Sequence, residues 1–206
     1  DAYAGLQKYH QALEAYEAAW KIEQTSRLVF RRFMMNRKIS SNEHSYAVIT
    51  DWLLEHTDDR AMRFKLAETY QLDGQTDKAI TEYKNILKTQ PDDVSVLNNL
   101  AWIYNKREDP QALTYAERAF KLNKSAAIKD TYGWVLLKNG QAERALALLK
   151  EAVRDLPTVA EVKYHYAVAL YESGDKQAAF TTLEALLLTG EKFDGRAEAR
   201  SLLDKR

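Results

Sequence analysis

Four similar stretches of sequence, recurring at an almost constant interval, constrain the fold of this chain more than any other feature. They begin at Leu66, Leu100, Tyr132 and Tyr166, so that successive starts lie 34, 32 and 34 residues apart. Apolar residues within them recur at spacings of three and four, which indicates two amphipathic helices with a short break between them. An interval of this length is typical of helix pairs that stack on their neighbours. The sequence therefore predicts an all-α fold built from repeated helix pairs.

The breaks between paired helices contain residues that favour a sharp turn. Gly74, Gly140 and Gly174 each follow the first helix of a pair, where a left-handed backbone conformation ends a helix without a Cβ clash. The second of the four stretches lacks this glycine and turns through Arg-Glu-Asp-Pro. There we expect Asp109 to cap the second helix of the pair and Pro110 to occupy its first turn.

Small residues recur at one position in each helix of the pair. These positions are Ala67, Ala101, Gly133 and Ala167 in the first helices, and Ala79, Ala112, Ala145 and Ala179 in the second helices. Because small side chains let two helices approach closely, we expect them at the contact between paired helices. A leucine at one of these positions would overpack the contact, at a cost of about 1–3 kcal/mol.

These features resemble tetratricopeptide repeat (TPR) proteins over about residues 60–188. The resemblance implies a right-handed superhelix, a solenoid of antiparallel helix pairs whose first helices line a concave groove. Because no linker separates the parts, we predict a single domain. We assign a partial repeat to residues 1–25, a degenerate repeat to 26–59, full repeats to 60–93, 94–125, 126–159 and 160–193, and a C-terminal capping helix to 195–206.

The amino-acid composition restricts the chemistry of the chain. Thirty Lys and Arg residues balance thirty Asp and Glu residues, so the net charge of zero does not favour nucleic acid as a partner. The sequence has no cysteine, its four histidines follow no metal-binding pattern, and it has no phosphate-binding loop or nucleophile motif. No apolar run is long enough to insert into a membrane. We therefore expect no catalytic residue, no cofactor and no metal site.

Polar and aromatic residues align on three successive first helices when the chain is shifted by one repeat. We predict that they form a groove that binds a protein or peptide partner, because large rigid side chains lose little entropy on binding. For the tryptophans, packing against the adjoining helix is an equally good interpretation. The candidate residues are Asn98, Asn99, Trp102 and Lys106; Asp130, Thr131, Trp134 and Lys138; and Tyr164, His165 and Tyr171.

One TPR subclass grips the C-terminal carboxylate of heat-shock chaperones with Lys, Asn and Arg residues of its first helices. The sequence departs from that subclass, because the places of the leading Lys and Asn hold Phe64 and Glu68. An adaptor for chaperone tails is therefore disfavoured.

A basic run lies in the degenerate repeat, among the apolar residues Phe30, Phe33, Met34 and Met35. One interpretation is a solvated helix face on which Lys and Arg stems cover apolar surface. The other is a docking surface for an acidic partner or an anionic polymer. The run consists of Arg27, Arg31, Arg32, Arg37 and Lys38.

A narrower resemblance extends over about residues 51–206. It rests on the strings LNNLAWIYNKREDP, DTYGWVLLKNGQAERA and EVKYHYAVALYESGDKQAA. These are similar to the C-terminal repeats of bacterial TPR lipoproteins associated with exosortase (PEP-CTERM) systems. The resemblance implies a C-terminal fragment of a longer protein in the periplasm or anchored to the outer membrane by an upstream lipidated segment. A cytoplasmic location is the alternative.

The sequence thus predicts a non-enzymatic interaction scaffold that holds a peptide or helix of a partner protein. The narrower resemblance implies a role in export or exopolysaccharide assembly at the bacterial cell envelope. Two other functions fit the same sequence. One is a structural spacer or self-association module, and the other is a TPR segment that regulates a larger protein.

Overall fold

The computed structural model describes residues 5, 8–40 and 42–206. The described residues form twelve α-helices and no β-strand. They divide into two compact units, the first ending at Pro91 and the second spanning Asp92–Arg206. The continuity of the solenoid across the two units stays a prediction.

The first unit contains five helices, in which each helix packs against the next one along the chain. The predicted degenerate repeat contains α2 and α3, and the predicted partial repeat contains α1, although its beginning lies outside the described residues. The helices are α1 (Tyr9–Trp20), α2 (Ser26–Ile39), α3 (Asn42–Glu55), α4 (Arg60–Leu72) and α5 (Thr76–Thr89).

A polar network joins three helices of the first unit. Arg37 of α2 donates from Nη2 to Asp73 Oδ1 at 2.8 Å, and the hydroxyl of Tyr46 on α3 donates to the same carboxylate. Asp73 follows the last residue of α4. The hydrogen bonds from Arg37 hold the pKa of Asp73 below its ordinary range. The core of the first unit includes Val29, Phe33, Ile49, Leu66 and Tyr83, all fully buried.

The second unit contains seven helices and shows the repeat architecture most regularly. Each first helix packs against its own second helix, and the first helices α6, α8 and α10 also contact one another in sequence. The last helix, α12, packs against α11. The helices are α6 (Val94–Lys106), α7 (Gln111–Leu122), α8 (Ala126–Lys138), α9 (Ala142–Asp155), α10 (Ala160–Glu172), α11 (Lys176–Leu188) and α12 (Arg196–Leu203).

The turns between paired helices confirm the predicted role of glycine. Gly74, Gly140 and Gly174 have φ values of 74°, 73° and 95°. In the pair that lacks the glycine, Glu108 adopts the left-handed conformation with a φ of 55°. Asp109 Oδ1 accepts a hydrogen bond from the backbone N–H of Gln111 at 2.8 Å, as expected of a capping residue. The prediction for Pro110 was wrong by one position, because Pro110 directly precedes the first residue of α7.

The small residues at the repeated positions are all buried, as predicted. Gly133 shows why size matters there. A Cβ added to Gly133 would lie 2.7 Å from Cγ of Leu149 on α9, which is too close for an unshifted contact. The helix pair α8–α9 thus packs most closely where its first helix has no side chain.

Candidate functional site

The three first helices of the second unit form one wall of an open groove with a volume of about 750 Å³. Segments just before α7 and around the start of α12 complete its lining. Each first helix contributes two of the predicted residues, one turn apart on α6 and α8 and adjacent on α10. The six are Trp102, Lys106, Trp134, Lys138, Tyr164 and His165.

A smaller pocket of about 280 Å³ lies beside this groove and shares Trp102, Glu161 and His165 with it. It is lined by four further predicted residues, Asn98, Asn99, Asp130 and Thr131. Tyr171 lines neither cavity. Its ring packs 6.0 Å from the ring of Phe180 on α11, and Lys176 Nζ lies 5.4 Å from its centre. The binding role of these residues stays a prediction.

A buried histidine and aspartate lie at the centre of the candidate site. His165 Nδ1 lies 3.0 Å from Asp130 Oδ1 and 3.1 Å from Oδ2, and the two residues are 2% and 9% exposed. An ionised carboxylate only accepts hydrogen bonds, so we place the proton of this hydrogen bond on Nδ1 of His165, which donates it to Asp130. The imidazole also stacks on Trp134, with ring centres 4.1 Å apart and planes 19° apart. The pair thus joins α8 to α10, and both of its residues line the smaller pocket, whereas only His165 also lines the groove.

The tryptophans have different roles in this arrangement. Trp134 is only 7% exposed, because His165 and Tyr164 cover it, and its packing supports the structural interpretation more than that of a free anchor. Trp102 is half-buried and lines both cavities. Lys138 Nζ lies 4.6 Å from the ring centre of Trp134, and Lys106 Nζ lies 5.2 Å from that of Trp102. Trp102 is therefore the more accessible aromatic surface.

The groove lining carries more negative than positive charge. Two lysines, Lys106 and Lys138, face five carboxylates, those of Glu108, Asp109, Glu161, Asp194 and Glu198. Burial and the nearby carboxylate of Asp194 raise the pKa of Glu161. Burial, together with the carboxylates of Glu198 and Glu161, raises the pKa of Tyr164 to about 12. The groove thus disfavours additional negative charge.

The connection between α11 and α12 closes one side of the groove. Phe193 packs against Tyr164 with ring centres 5.5 Å apart, and Lys106 Nζ contacts Asp194 Oδ2 at 2.6 Å. Gly195 has a φ of 90°, and a Cβ added there would lie 2.3 Å from the ring of Tyr164. Sequence reasoning missed Phe193 and Asp194 because they lie after the last helix pair and follow no repeat.

An unpaired amide oxygen lies in the smaller pocket. Among the residues that the structure describes, none donates a hydrogen bond to Asn98 Oδ1, although this atom is shielded from solvent. Leaving a buried acceptor without a donor costs about 1–3 kcal/mol. Asn98 thus places a shielded, unpaired acceptor in the lining of the smaller pocket.

Two other kinds of site are not found in the described part of the chain. Its His, Asp and Glu side chains form no group of three or more that could hold a metal ion. None of its helices combines the length and the apolar character needed to cross a membrane.

Comparisons with known protein families identify the repeats. Profiles described as tetratricopeptide repeat match residues 60–93 and 136–205. The chain therefore contains tetratricopeptide repeats, which generally act as non-enzymatic scaffolds. A search of curated proteins found no match.

Solved structures confirm the predicted all-α fold of TPR type. A tetratricopeptide repeat protein from Parabacteroides merdae ATCC 43184 superposes with a TM-score of 0.75 at 17% identity, covering 93% of this chain and 77% of that one. PilW, described as a widely conserved type IV pilus biogenesis factor, superposes with a TM-score of 0.71 at 19% identity, covering 88% of this chain and 87% of PilW. YrrB, described as a TPR protein with an unusual peptide-binding site, superposes with a TM-score of 0.63 at 18% identity, covering 85% of this chain and 92% of YrrB.

Proposed function

We propose that the chain is a non-enzymatic scaffold that binds a peptide or helix of a partner protein in the groove of its second unit. The observation that carries the proposal is the convergence of residues from α6, α8 and α10 on one open groove of about 750 Å³. Trp102 offers an accessible aromatic surface there, between the amides of Asn98 and Asn99 and the ammonium of Lys106. Aromatic anchors beside polar groups are typical of protein interfaces.

The polar groups would set the position of the bound segment. An extended peptide carries unpaired backbone N–H and C=O groups along its whole length. The side-chain amides of Asn98 and Asn99 can both donate to and accept from such a backbone.

The charge of the groove favours a partner that carries Lys or Arg. Glu161 lines both cavities, and burial beside Asp194 disfavours its charged form. A cation between Glu161 and Trp102 would gain from the carboxylate and from the aromatic face together. The partner segment therefore combines an apolar or aromatic residue with a basic one.

A role at the bacterial cell envelope is the finer part of the proposal. It is supported by the resemblance to exosortase-associated TPR lipoproteins, which implies an export or exopolysaccharide assembly. The similarity to PilW, a type IV pilus biogenesis factor, is compatible with such a role. Periplasmic or outer-membrane anchoring through an upstream lipidated segment is proposed on the same ground. Fractionation of source cells, followed by immunodetection, tests it, and recovery in the cytosol alone would contradict it.

Capture of partners by groove variants tests the main proposal. The double variant Asn99→Ala/Trp102→Ala removes one amide and the accessible ring, both from half-buried positions. Tyr115→Ala is the matched control, because Tyr115 is also half-buried but stacks on Tyr104 between α6 and α7. We expect the parent and the control to capture a protein that the double variant does not, with all three equally folded by circular dichroism. Equal capture by the double variant would refute groove binding.

Self-association is a second candidate function. It is favoured by large apolar side chains that the described chain leaves largely exposed, namely Ile22, Leu54, Leu72 and Leu188. Light scattering over a wide concentration range separates the two functions. A mass that stays at the monomer value at every concentration would exclude self-association and leave the groove proposal intact.

A further inference from the structure

A further candidate surface lies in the first unit, in a pocket of about 540 Å³. Helices α1, α2 and α3 all contribute to its lining, and α3 contributes the largest share. We call it the α1–α3 pocket. It combines aromatic rings with groups of both charges. Its aromatic and ionisable lining residues are Glu17 and Trp20 of α1, Arg32 of α2, and His44, Asp51, Trp52 and Glu55 of α3.

Two tryptophans supply aromatic surface to the pocket, and contacts within the unit hold both rings in place. Trp20 and Trp52 are half-buried, with ring centres 5.8 Å apart and planes at 67°. Trp52 Nε1 also donates a hydrogen bond to Asp59 Oδ2 at 2.8 Å. Because these rings are already ordered, an apolar side chain of a partner could pack on them without the entropy cost of fixing flexible groups.

The arginine of the pocket is engaged within the chain. Arg32 Nε contacts Glu17 Oε1 at 2.7 Å, and its guanidinium carbon lies 4.5 Å from the ring centre of Trp20. Arg32 belongs to the predicted basic run, and Arg37 of the same run binds Asp73. The pair of Arg32 and Glu17 joins α2 to α1, and together these two residues add no net charge to the pocket.

Two carboxylates of α3 remain available to a partner. Asp51 and Glu55 are exposed and line the pocket four residues apart, on the same face of the helix. The structure shows no hydrogen bond or ion pair between either carboxylate and any residue that it describes. Like charges at this spacing repel each other and destabilise a helix. A cation bound between Asp51 and Glu55 would remove this repulsion and gain from both carboxylates.

We propose that the α1–α3 pocket is a docking surface for a basic segment of a partner protein, in which an apolar side chain lies next to Lys or Arg. The apolar side chain contacts Trp20 and Trp52, and the cation binds Asp51 and Glu55. Charge complementarity selects this occupant, because the two carboxylates are available whereas the arginine of the lining is already paired. The same carboxylates would repel a nucleic acid or an acidic segment.

Fluorescence anisotropy with two labelled synthetic peptides tests the proposal at about pH 8, where histidine is neutral. Both peptides contain leucine and phenylalanine at the same positions, and one has lysine where the other has glutamine. We expect the lysine peptide to bind the chain about tenfold more tightly, which corresponds to about 1.4 kcal/mol. Its affinity should fall as salt rises from low to moderate ionic strength. Equal affinity for the two peptides, or no dependence on salt, would overturn the proposal.

Variants that remove the two carboxylates locate the binding. Asp51→Asn/Glu55→Gln should weaken binding of the lysine peptide about tenfold. Glu14→Gln/Glu43→Gln is the matched control, because it changes the net charge equally at two exposed positions of α1 and α3 outside the lining. Circular dichroism compares the folds, and Asp51→Asn alone replaces the double variant if that variant is unfolded. Unchanged binding by the folded variant would rule out the pocket as the site.

The groove of the second unit is also proposed to favour basic partners, so the two sites are measured separately. The groove variant Asn99→Ala/Trp102→Ala should retain the part of the lysine-peptide affinity that depends on Asp51 and Glu55. If the groove variant abolished all binding of the lysine peptide, the pocket would be excluded as its site and the function proposed for the groove would gain support. Loss of binding in the pocket variant alone supports the pocket.

Light scattering distinguishes a partner protein from a second copy of this chain as the occupant. A parent mass at the monomer value, or a dimer that persists in Asp51→Asn/Glu55→Gln, supports a different protein. A dimer that this variant dissociates, while the control Glu14→Gln/Glu43→Gln stays dimeric, would overturn the proposal in favour of a second copy.

Discussion

The groove of the second unit differs in chemistry from a depression of about 560 Å³ in the first unit, which α2 and α4 line with Phe30, Phe64 and four cationic side chains. The lining of the groove includes His165, which pairs with the buried Asp130, and most of its charged side chains are carboxylates. The depression has an aromatic floor and only cations among its charged lining residues. The comparison shows that the repeat fixes helix packing through its small buried positions, while segments outside the first helices supply four of the five carboxylates that line the groove.

The largest effect is expected from breaking the buried pair of the groove. His165→Ala leaves the Asp130 carboxylate largely buried without its partner and removes the stack on Trp134. We expect a loss of about 3 kcal/mol in the free energy of unfolding. Urea denaturation followed by circular dichroism measures it, with His44→Ala, at an exposed position, as the control. A loss below about 1 kcal/mol would show that the pair does not hold the groove.

Asp73→Asn in the first unit should lower the free energy of unfolding by about 2 kcal/mol, because Arg37 and Tyr46 would lose a charged acceptor. The pKa of Asp73 is lowered in the folded protein from its ordinary value of 3.8. The ionised carboxylate therefore stabilises the fold at pH values above 3.8, and this contribution decreases as the pH falls through the lower pKa of the folded state.

Denaturation at neutral and acidic pH tests this linkage. The parent should lose more stability than Asp73→Asn between about pH 5 and the acid limit of folding. Asp77→Asn, on the exposed side of α5, is the control. Parallel pH profiles for the parent and Asp73→Asn would contradict the assignment.

A smaller effect is expected on the charge preference of the groove. Glu161→Gln should weaken binding of a lysine-containing partner peptide about threefold to tenfold, because a carboxylate of the groove is lost. Glu143→Gln, exposed on α9, is the control. Isothermal titration with lysine and glutamine versions of the captured segment measures the difference. If Glu161→Gln strengthened binding of the lysine version, the groove would not select for positive charge.

The smallest effect is expected at the turn between α6 and α7, where Glu108 takes the place of a glycine. Glu108→Gly should stabilise the second unit by about 0.5–1 kcal/mol, because glycine adopts a φ of 55° without strain. Gly140→Ala should do the opposite at the regular turn, where φ is 73° and a Cβ has open space around it. Thermal denaturation of both variants makes the comparison. No stabilisation by Glu108→Gly would mean that Glu108 has a compensating contact.

The sequence predicts most of the fold because the repeats encode local geometry. The turn glycines and the small buried residues could be found from the period alone, and so could the convergence of Trp102 and Trp134 on one groove. The His165–Asp130 pair was missed, although its signal was present, because the two residues lie one position more than a repeat apart on neighbouring first helices.

Features outside the period could not be found in this way. The contacts of Phe193 and Asp194 depend on how the chain folds back after the last helix pair. The depression lined by α2 and α4 depends on the packing of an irregular repeat, which no regular neighbour predicts. The hydrogen bond from Arg37 to Asp73 likewise depends on a residue that follows another helix, which a charge pattern along one helix does not contain.

The contact between Lys106 and Asp194 joins residues that are 88 positions apart. During synthesis from the N-terminus, α6 leaves the ribosome long before Phe193 and Gly195 do. Helix pairs can form as they emerge, whereas the side of the groove beside Tyr164 remains open until the last helix follows. Partner binding during translation would therefore meet a wider groove than the finished chain presents.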